Sequence, residues 1–474
     1  MKYSSILTSL FFAVLIFTLF FFRIMTSNRM PVSYNYDADF GRDLLTMLRI
    51  NKGKLTLIGP QLSLAGLHTA PYYFYFFAPF LRITNYNHNG VVYANAAMYL
   101  LGFLFLLLYV KKTHETWTSL LLLLWLVTTP YVILAARTPG NAFSYVIILF
   151  WYIAILFRTV EMTPLKSILF GITAGIVANF HPISLIPLMV SFFLTVFTLK
   201  KLELKTKLFI FSLYIFTFII TFLPVLIFEF RHNFVIWQNL KNPIRIREFF
   251  GNNGYLSTFS VSNIFTIDSS SVQWLPLGLI SSLFILILLA CYGKNKDKFI
   301  WIITTIFSIS FFLLNKGSPH YYFPVLVLIQ CVIAGLIMKI TYARLILIFF
   351  IILNIYFFPK SIYQPGRNLI DVENKFNQYL KLQNLPKINL NVILINDTHL
   401  SIVGYEYRFL LEKYNYPLQD EYSYNKSDYL LLISEKGEID WQHLTSWELN
   451  EFGQKVLLNK YVGDKNVYYL FGKI

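Results

Sequence analysis

Hydrophobic residues run through this chain in long unbroken stretches separated by short polar breaks, the pattern of helices that are apolar on every side. Stretches near 91–110, 118–135, 142–158, 167–180, 182–199, 208–229, 274–292, 299–314, 321–340 and 344–358 approach the roughly 20 residues that carry a helix across a bilayer. Met1 to Phe22 is a further such run, and Arg23-Ile24-Met25-Thr26-Ser27 after it lacks a small-x-small cleavage site. It therefore reads as a retained first transmembrane helix. The pattern predicts an α-helical polytopic membrane protein with about eleven transmembrane helices.

Polar residues between the stretches set the expected sidedness. Lys111-Lys112, Arg158 with Lys166, Lys200-Lys201 with Lys205 and Lys207, Lys294, Lys296 and Lys298, and Lys339 with Arg344 fall at every second connection. Cytoplasmic loops carry such an excess of basic residues. The loops 23–90, 136–141, 230–273 and 315–320, the turn at His181 and the tail from Pro359 are then expected to face outward, with the amino terminus in the cytoplasm. Arg23 and Arg29 oppose this against Lys2 alone, and five later loops outweigh them.

Past Pro359 the pattern changes to short buried runs in polar surroundings. Asn391–Asn396, Tyr429–Ile433 and Val467–Phe471 read as strands, with helical patterns near 400–414 and 446–458. The expected organisation is a transmembrane domain over 1–358 and a small soluble extracytoplasmic α/β domain over 359–474. That domain shows neither a glycine-rich phosphate loop nor a catalytic constellation, so it reads as a cap or an acceptor-docking module.

Composition supports this picture: 56% of the 474 residues are hydrophobic and 14% are charged. The net charge of +16 does not point to nucleic acid, because its lysines and arginines sit in short clusters between spans, where they orient helices and meet anionic headgroups. Cys291 and Cys331 are too few and too apolar in setting for a disulfide framework or a metal site.

Against so apolar a background, Asp37, Asp39, Arg42 and Asp43 in the first outer loop stand out. Ionisable groups held beside lipid are functional candidates by default. From Asp39 a helical pattern runs to about Asn51, with Phe40, Leu44, Met47 and Leu48 toward one side and Asp39, Arg42, Asp43, Thr46 and Arg49 toward the other. Such a helix would lie in the interface, acid face toward a cavity. Asp39 and Asp43, four residues apart, disfavour each other's charge. Either Arg42 compensates them or one aspartate has a raised pKa suited to a general base. Solvated loop charges with Arg42 as internal counterion would give the same spacing.

Further along the loop come Gly59-Pro60, then Gly66-Leu67-His68-Thr69-Ala70-Pro71-Tyr72-Tyr73-Phe74-Tyr75 and Ala78-Pro79-Phe80. Acids early in the first outer loop, followed by a histidine, a proline and tandem tyrosines leading into Ala-Pro-Phe, resemble the GT-C class of integral membrane glycosyltransferases. That class includes the protein mannosyltransferases, the bacterial lipid A aminoarabinose transferases and the Rgt-type transferases. Three more segments are similar to it: Arg137-Thr138-Pro139-Gly140-Asn141, Phe228-Glu229-Phe230-Arg231-His232 and Pro319-His320-Tyr321-Tyr322-Phe323-Pro324. The resemblance covers about residues 5–358. One departure matters, because the family usually shows adjacent Asp-Glu at the key acid. Aligning the Asp-x-x-Arg-Asp form of some bacterial members puts that acid at Asp39, with Asp37 as a substitute.

The resemblance implies a sugar carried on polyprenyl phosphate and an acceptor that attacks its anomeric carbon with inversion. Asp39 would be the base, with Arg42 and Asp43 as its partners. Implied donor or sugar contacts are His68, Tyr72, Arg137, Asn141, Arg231, His232, Arg245, Arg247, His320 and Tyr321. Glu229 either pairs with Arg231 or helps hold a divalent cation on phosphate; a metal is otherwise not expected. The partners expected are the donor lipid, the bilayer of the cell membrane and an extracytoplasmic lipid, glycan or protein acceptor. A polysaccharide polymerase, or a flippase or transporter of lipid-linked sugars, is the alternative, and the first-loop acids would be dispensable in both. Arg231-His232 can be a snorkelling anchor, Arg245 and Arg247 can touch headgroups, and His320 can belong to an aromatic belt.

Overall fold

The computed structural model describes residues 37–62, 67–111, 116–157, 159–199, 202–241, 342–356, 369–383, 385–396 and 402–474, with isolated positions elsewhere. The chain forms two compact units. One comprises Met1–Met30, Thr56–Phe76 and Val91–Gln364, the other Pro31–Leu55, Phe77–Gly90 and Pro365–Ile474.

The first unit is helical. Among the described residues one helix, Asn89–Lys111, is long and apolar enough to cross a membrane, and there are up to three spans if each of two bent pairs counts as one. The stretch expected as one span over 118–135 is such a pair: helices Thr116–Thr128 and Pro130–Arg137 meet at 63°. Pro130 explains the break. Thr129 before it is extended (φ −68°, ψ 123°), and Pro130 occupies a first-turn position where its missing N–H removes no helical bond. The 208–229 stretch divides likewise into Leu204–Ile220 and Leu223–Arg231, at 51°, with Pro224 in the first turn of the second helix. Shorter apolar helices cover Val146–Phe157, Pro164–Phe180, Leu185–Thr198 and Ala343–Tyr356. The expected stretches 274–292 and 299–314 lie outside the described residues.

Close packing in this unit depends on missing side chains. A Cβ at Gly171 would stand 2.1 Å from Thr217 Oγ1 and one at Gly175 2.2 Å from Thr221 Oγ1. This small-x-x-x-small stripe lets helix Pro164–Phe180 lie directly against Leu204–Ile220. Beside that contact Tyr214 stacks on Phe192 with ring centroids 3.8 Å apart, and the Tyr152 and Tyr214 hydroxyls lie 3.0 Å apart.

The second unit is built on a four-stranded sheet of β1 (Leu390–Ile395), β2 (Tyr429–Ser434), β3 (Lys455–Val462) and β4 (Val467–Lys473), in the order β1-β2-β4-β3. β1 and β2 run parallel, and the other pairs are antiparallel. The runs read as strands over Asn391–Asn396, Tyr429–Ile433 and Val467–Phe471 correspond to β1, β2 and β4. Between their ends they are apolar at successive positions because both faces of the sheet are covered. Leu430, Leu432, Tyr469 and Phe471 pack with Tyr424, Leu449 and Phe452 on one face. Tyr468, on the other, stacks on Tyr379 of helix Leu369–Leu382 at 4.2 Å. β3 departs from the sequence expectation. The helix expected over 446–458 spans only Trp447–Phe452 and ends at Gly453 (φ +88°), after which the chain turns into this edge strand.

Helix Ala38–Asn51 belongs to this second unit. Phe40, Leu44, Met47 and Leu48 are buried, as the amphipathic pattern requires. Helix Tyr405–Lys413 crosses it at Gly41, where a Cβ would lie 2.7 Å from the backbone N of Glu406. Arg49 fastens the crossing through Glu412 at 2.6 Å and Glu421 at 3.4 Å.

Candidate active site

The acid cluster is organised by one arginine. Asp37 is the N-cap of helix Ala38–Asn51, its carboxylate accepting from the Phe40 N–H at 3.0 Å. That bond ties Asp37 to a backbone role. Arg42 donates from Nη1 to Asp39 Oδ1 at 2.8 Å, and from Nε and Nη2 to Asp43 Oδ1 at 3.3 and 3.0 Å. A single guanidinium thus separates the two like charges.

The two aspartates live in different surroundings. The Asp39 side chain is 73% exposed and that of Asp43 only 4%. Burial pushes the Asp43 carboxyl up to about 7, opposed by Arg42, while Asp39 and Asp37 repel its charge. Burial also raises Asp37. Both alternatives left open by the spacing hold at once: Arg42 compensates the pair, and one carboxyl is raised. It is the buried one. Asp43 departs from the expected polar face because helix Tyr405–Lys413 comes to backbone contact at Gly41, two residues away.

His68, Tyr72 and Asn141 belong to the first unit, in a polar knot where four segments meet. His68 Nδ1 lies 3.1 Å from the Gly59 carbonyl. The Ala70 N–H donates to Asn179 Oδ1 at 2.8 Å, and the Tyr72 hydroxyl donates to the Thr221 carbonyl at 2.7 Å. Tyr73 bonds the Pro139 carbonyl, and Asn141 Nδ2 donates to that of Phe180 at 3.1 Å. Arg137 is buried at the end of helix Pro130–Arg137. The carbonyls of Ala135, Ala136 and Thr138 around it accept from Asn95 Nδ2 at 2.9, 2.9 and 3.3 Å. Asn95, Asn179 and Thr221 do not stand out in the sequence; their one signal is a lone asparagine inside each of two apolar stretches.

Glu229 is buried and accepts from the Ile236 and Trp237 N–H groups, both at 2.9 Å. These bonds hold a turn in which Asn233 and Phe234 take left-handed φ values of 54° and 58°. That region is costly for a bulky residue, so the carboxylate stabilises a strained backbone. Arg231 is exposed, and His232 stacks on Phe228 with centroids 4.0 Å apart. Arg245, Arg247, His320 and Tyr321 lie outside the described residues. Among the described residues no group of three His, Cys, Asp or Glu side chains could hold a metal ion.

No protein-family model and no curated protein matches the sequence. Solved structures do match. The crystal structure of ArnT from Cupriavidus metallidurans bound to undecaprenyl phosphate aligns with a TM-score of 0.57 at 10% identity, over 98% of this chain and 97% of that one. The same protein in the apo state aligns with a TM-score of 0.56 at 11% identity, over 98% of each chain. This chain has the ArnT fold. The resemblance to GT-C enzymes read from the first-loop acids, the tandem tyrosines and the later Arg and His segments thus has a counterpart in three dimensions. The ArnT fold also covers the segment beyond Pro359, for which the sequence offered no diagnostic motif.

Proposed function

We propose that this protein is a membrane glycosyltransferase that moves a monosaccharide from a polyprenyl-phosphate donor to an acceptor outside the cytoplasm. The observation that carries this reading is the Arg42 clamp. It holds an exposed carboxylate, Asp39, against a cation anchored below by a buried one, Asp43, on a chain with the ArnT fold. Of the three aspartates, Asp37 is committed to the helix N-terminus and Asp43 is enclosed, so Asp39 is the one a substrate reaches.

In the proposed step the acceptor oxygen forms a bond to the anomeric carbon from the face opposite the lipid phosphate. The anomeric carbon–oxygen bond breaks with its electron pair leaving on phosphate, and Asp39 takes the acceptor proton. The configuration inverts because one displacement occurs. Arginine offers bidentate, charge-assisted bonds to phosphate oxygens, and Arg137, Arg231, Arg245 and Arg247 are the proposed partners, with His320 as a further donor. His68, Tyr72 and Asn141 are proposed to shape the donor side. The protein would work in the cell membrane, with the bilayer presenting its donor.

The test follows release of free polyprenyl phosphate from a panel of radiolabelled polyprenyl-phosphate sugars, with total membrane glycans as acceptor. Wild type should turn over at least one donor, and Asp39→Asn should lose about 10²–10⁴-fold of that rate while remaining folded. Undiminished turnover in Asp39→Asn would move the base to Asp37 or Asp43. No turnover of any donor would bring the polymerase and flippase readings forward.

A further inference from the structure

The C-terminal segment supplies a wall to the acid cluster. Because helix Tyr405–Lys413 crosses Ala38–Asn51 at Gly41, the backbone of Tyr405 lies 3.0 Å from where a Gly41 Cβ would be, beside Arg42. Glu421, bonded to Arg49 at 3.4 Å, brings the adjacent Tyr422 to the same helix. Tyr422 is 70% exposed. Tyr405 is half-buried, and among the described residues its hydroxyl has no hydrogen-bond partner. The phenol of Tyr405 also feels the charges of Glu421 and Arg42, as expected of near neighbours.

We propose that Tyr405 and Tyr422 are acceptor-specificity residues and that the acceptor they take is a neutral saccharide, an inference that rests on the transferase reading above. Three features lead there. An unspent phenol near Arg42, whose guanidinium holds the exposed Asp39 carboxylate, suits a partner rich in hydroxyl groups, each able to donate and accept. An exposed tyrosine ring offers apolar area with a polar tip, and so suits a ligand with apolar C–H faces and hydroxyl edges. The charge pattern argues against an anionic acceptor. Arg42 is bonded to Asp39 and Asp43, and Arg49 to Glu412 and Glu421, so a phosphate would find both arginines taken and four carboxylates nearby. In the proposed geometry the Tyr405 hydroxyl bonds one hydroxyl of the acceptor sugar while Asp39 receives the proton of another.

The experiment uses the full chain in detergent micelles, presented to immobilised neutral N-acetylglucosamine oligomers and linear glucans, and to the same oligomers carrying 6-phosphate groups. Wild type should retain neutral oligomers in preference to phosphorylated ones. Tyr405→Phe and Tyr422→Ala should each weaken that retention by about two- to tenfold, the loss of one hydrogen bond or of one ring contact. Tyr405→Phe should leave the melting temperature unmoved, because it deletes an oxygen that no group among the described residues bonds; a purely structural tyrosine would give the reverse. Preference for phosphorylated oligomers, failure to retain any neutral oligomer, or retention insensitive to both substitutions would each overturn the assignment. Donor turnover on the same preparation separates the two readings. Turnover with no neutral-glycan preference removes only the acceptor assignment, and absence of turnover with every donor removes the transferase itself.

Discussion

Arg42→Met would expose how the clamp holds together. In the wild type, Asp43 is 4% exposed and its carboxyl is raised to about 7 although Arg42 donates to it at 3.0 Å. Removing the guanidinium leaves that carboxyl enclosed without the cation that lowers it, and its pKa must climb further, because burial and the repulsion of Asp39 and Asp37 remain. A carboxyl whose folded pKa exceeds its unfolded value contributes stability below the unfolded value, near 4, and loses it as pH rises through the folded value. For wild type that loss falls between about 4 and about 7. For Arg42→Met the window extends upward, and above pH 7 stability continues to fall by up to about 1.4 kcal/mol per pH unit. At pH 8 the variant should therefore be destabilised by about 1–4 kcal/mol, the range spanned by protonation of the stranded group and by a broken buried ion pair. Melting temperatures of wild type, Arg42→Met and Arg42→Met/Asp43→Leu in detergent from pH 5.5 to 8 provide the assay. The wild-type contribution from this group should fall by only about 0.4 kcal/mol from 7 to 8, the single variant should slope downward by up to about 1.4 kcal/mol, and the double variant should lose the slope. A single variant with no slope above pH 7 would mean that Asp43 is not enclosed, and that Asp39 is not singled out as the reachable acid.

Gly41→Ala tests the helix crossing. Alanine gains about 1 kcal/mol of helix propensity, yet its Cβ would stand 2.7 Å from the Glu406 N and 2.8 Å from its Cα, an overpacking that costs about 1–3 kcal/mol. The net effect should be a lower melting temperature; a rise would show that the crossing does not exist. Glu229→Ala removes the acceptor for two N–H groups and should loosen the turn at Asn233–Phe234 by about 1–2 kcal/mol, read as faster amide exchange at Ile236 and Trp237. Unchanged exchange there would leave the Glu229 carboxylate free for a ligand.

What the sequence disclosed follows the range of the forces involved. Local periodicity located helix Ala38–Asn51 and its buried face, and apolar runs located β1, β2 and β4, because burial on known sides leaves a mark at every residue. β3 was missed: its burial alternates, Val456 and Leu458 are exposed, and the preceding residues favour helix until Gly453 stops it. Two apolar stretches read as single spans proved to be bent pairs, although Pro130 and Pro224 were visible. A proline marks a break without giving its angle, which tertiary packing decides.

The acid cluster shows the same limit at the candidate site. Spacing revealed that Asp39, Arg42 and Asp43 share a stretch of helix, but exposure separates the two aspartates, and exposure is decided by a helix more than 350 residues away in the chain. Gly41 permits that approach, but a glycine inside a helix is compatible with a kink, a close crossing or nothing at all, so its presence does not announce one. The consequence reaches beyond the aspartates. If the C-terminal segment encloses Asp43, anchors Arg49 and sets Tyr405 beside Arg42, then that segment is no detachable cap. The geometry of the base would depend on residues 405–421, and chains sharing the first-loop acids but differing there would differ in acceptor while keeping the same chemistry.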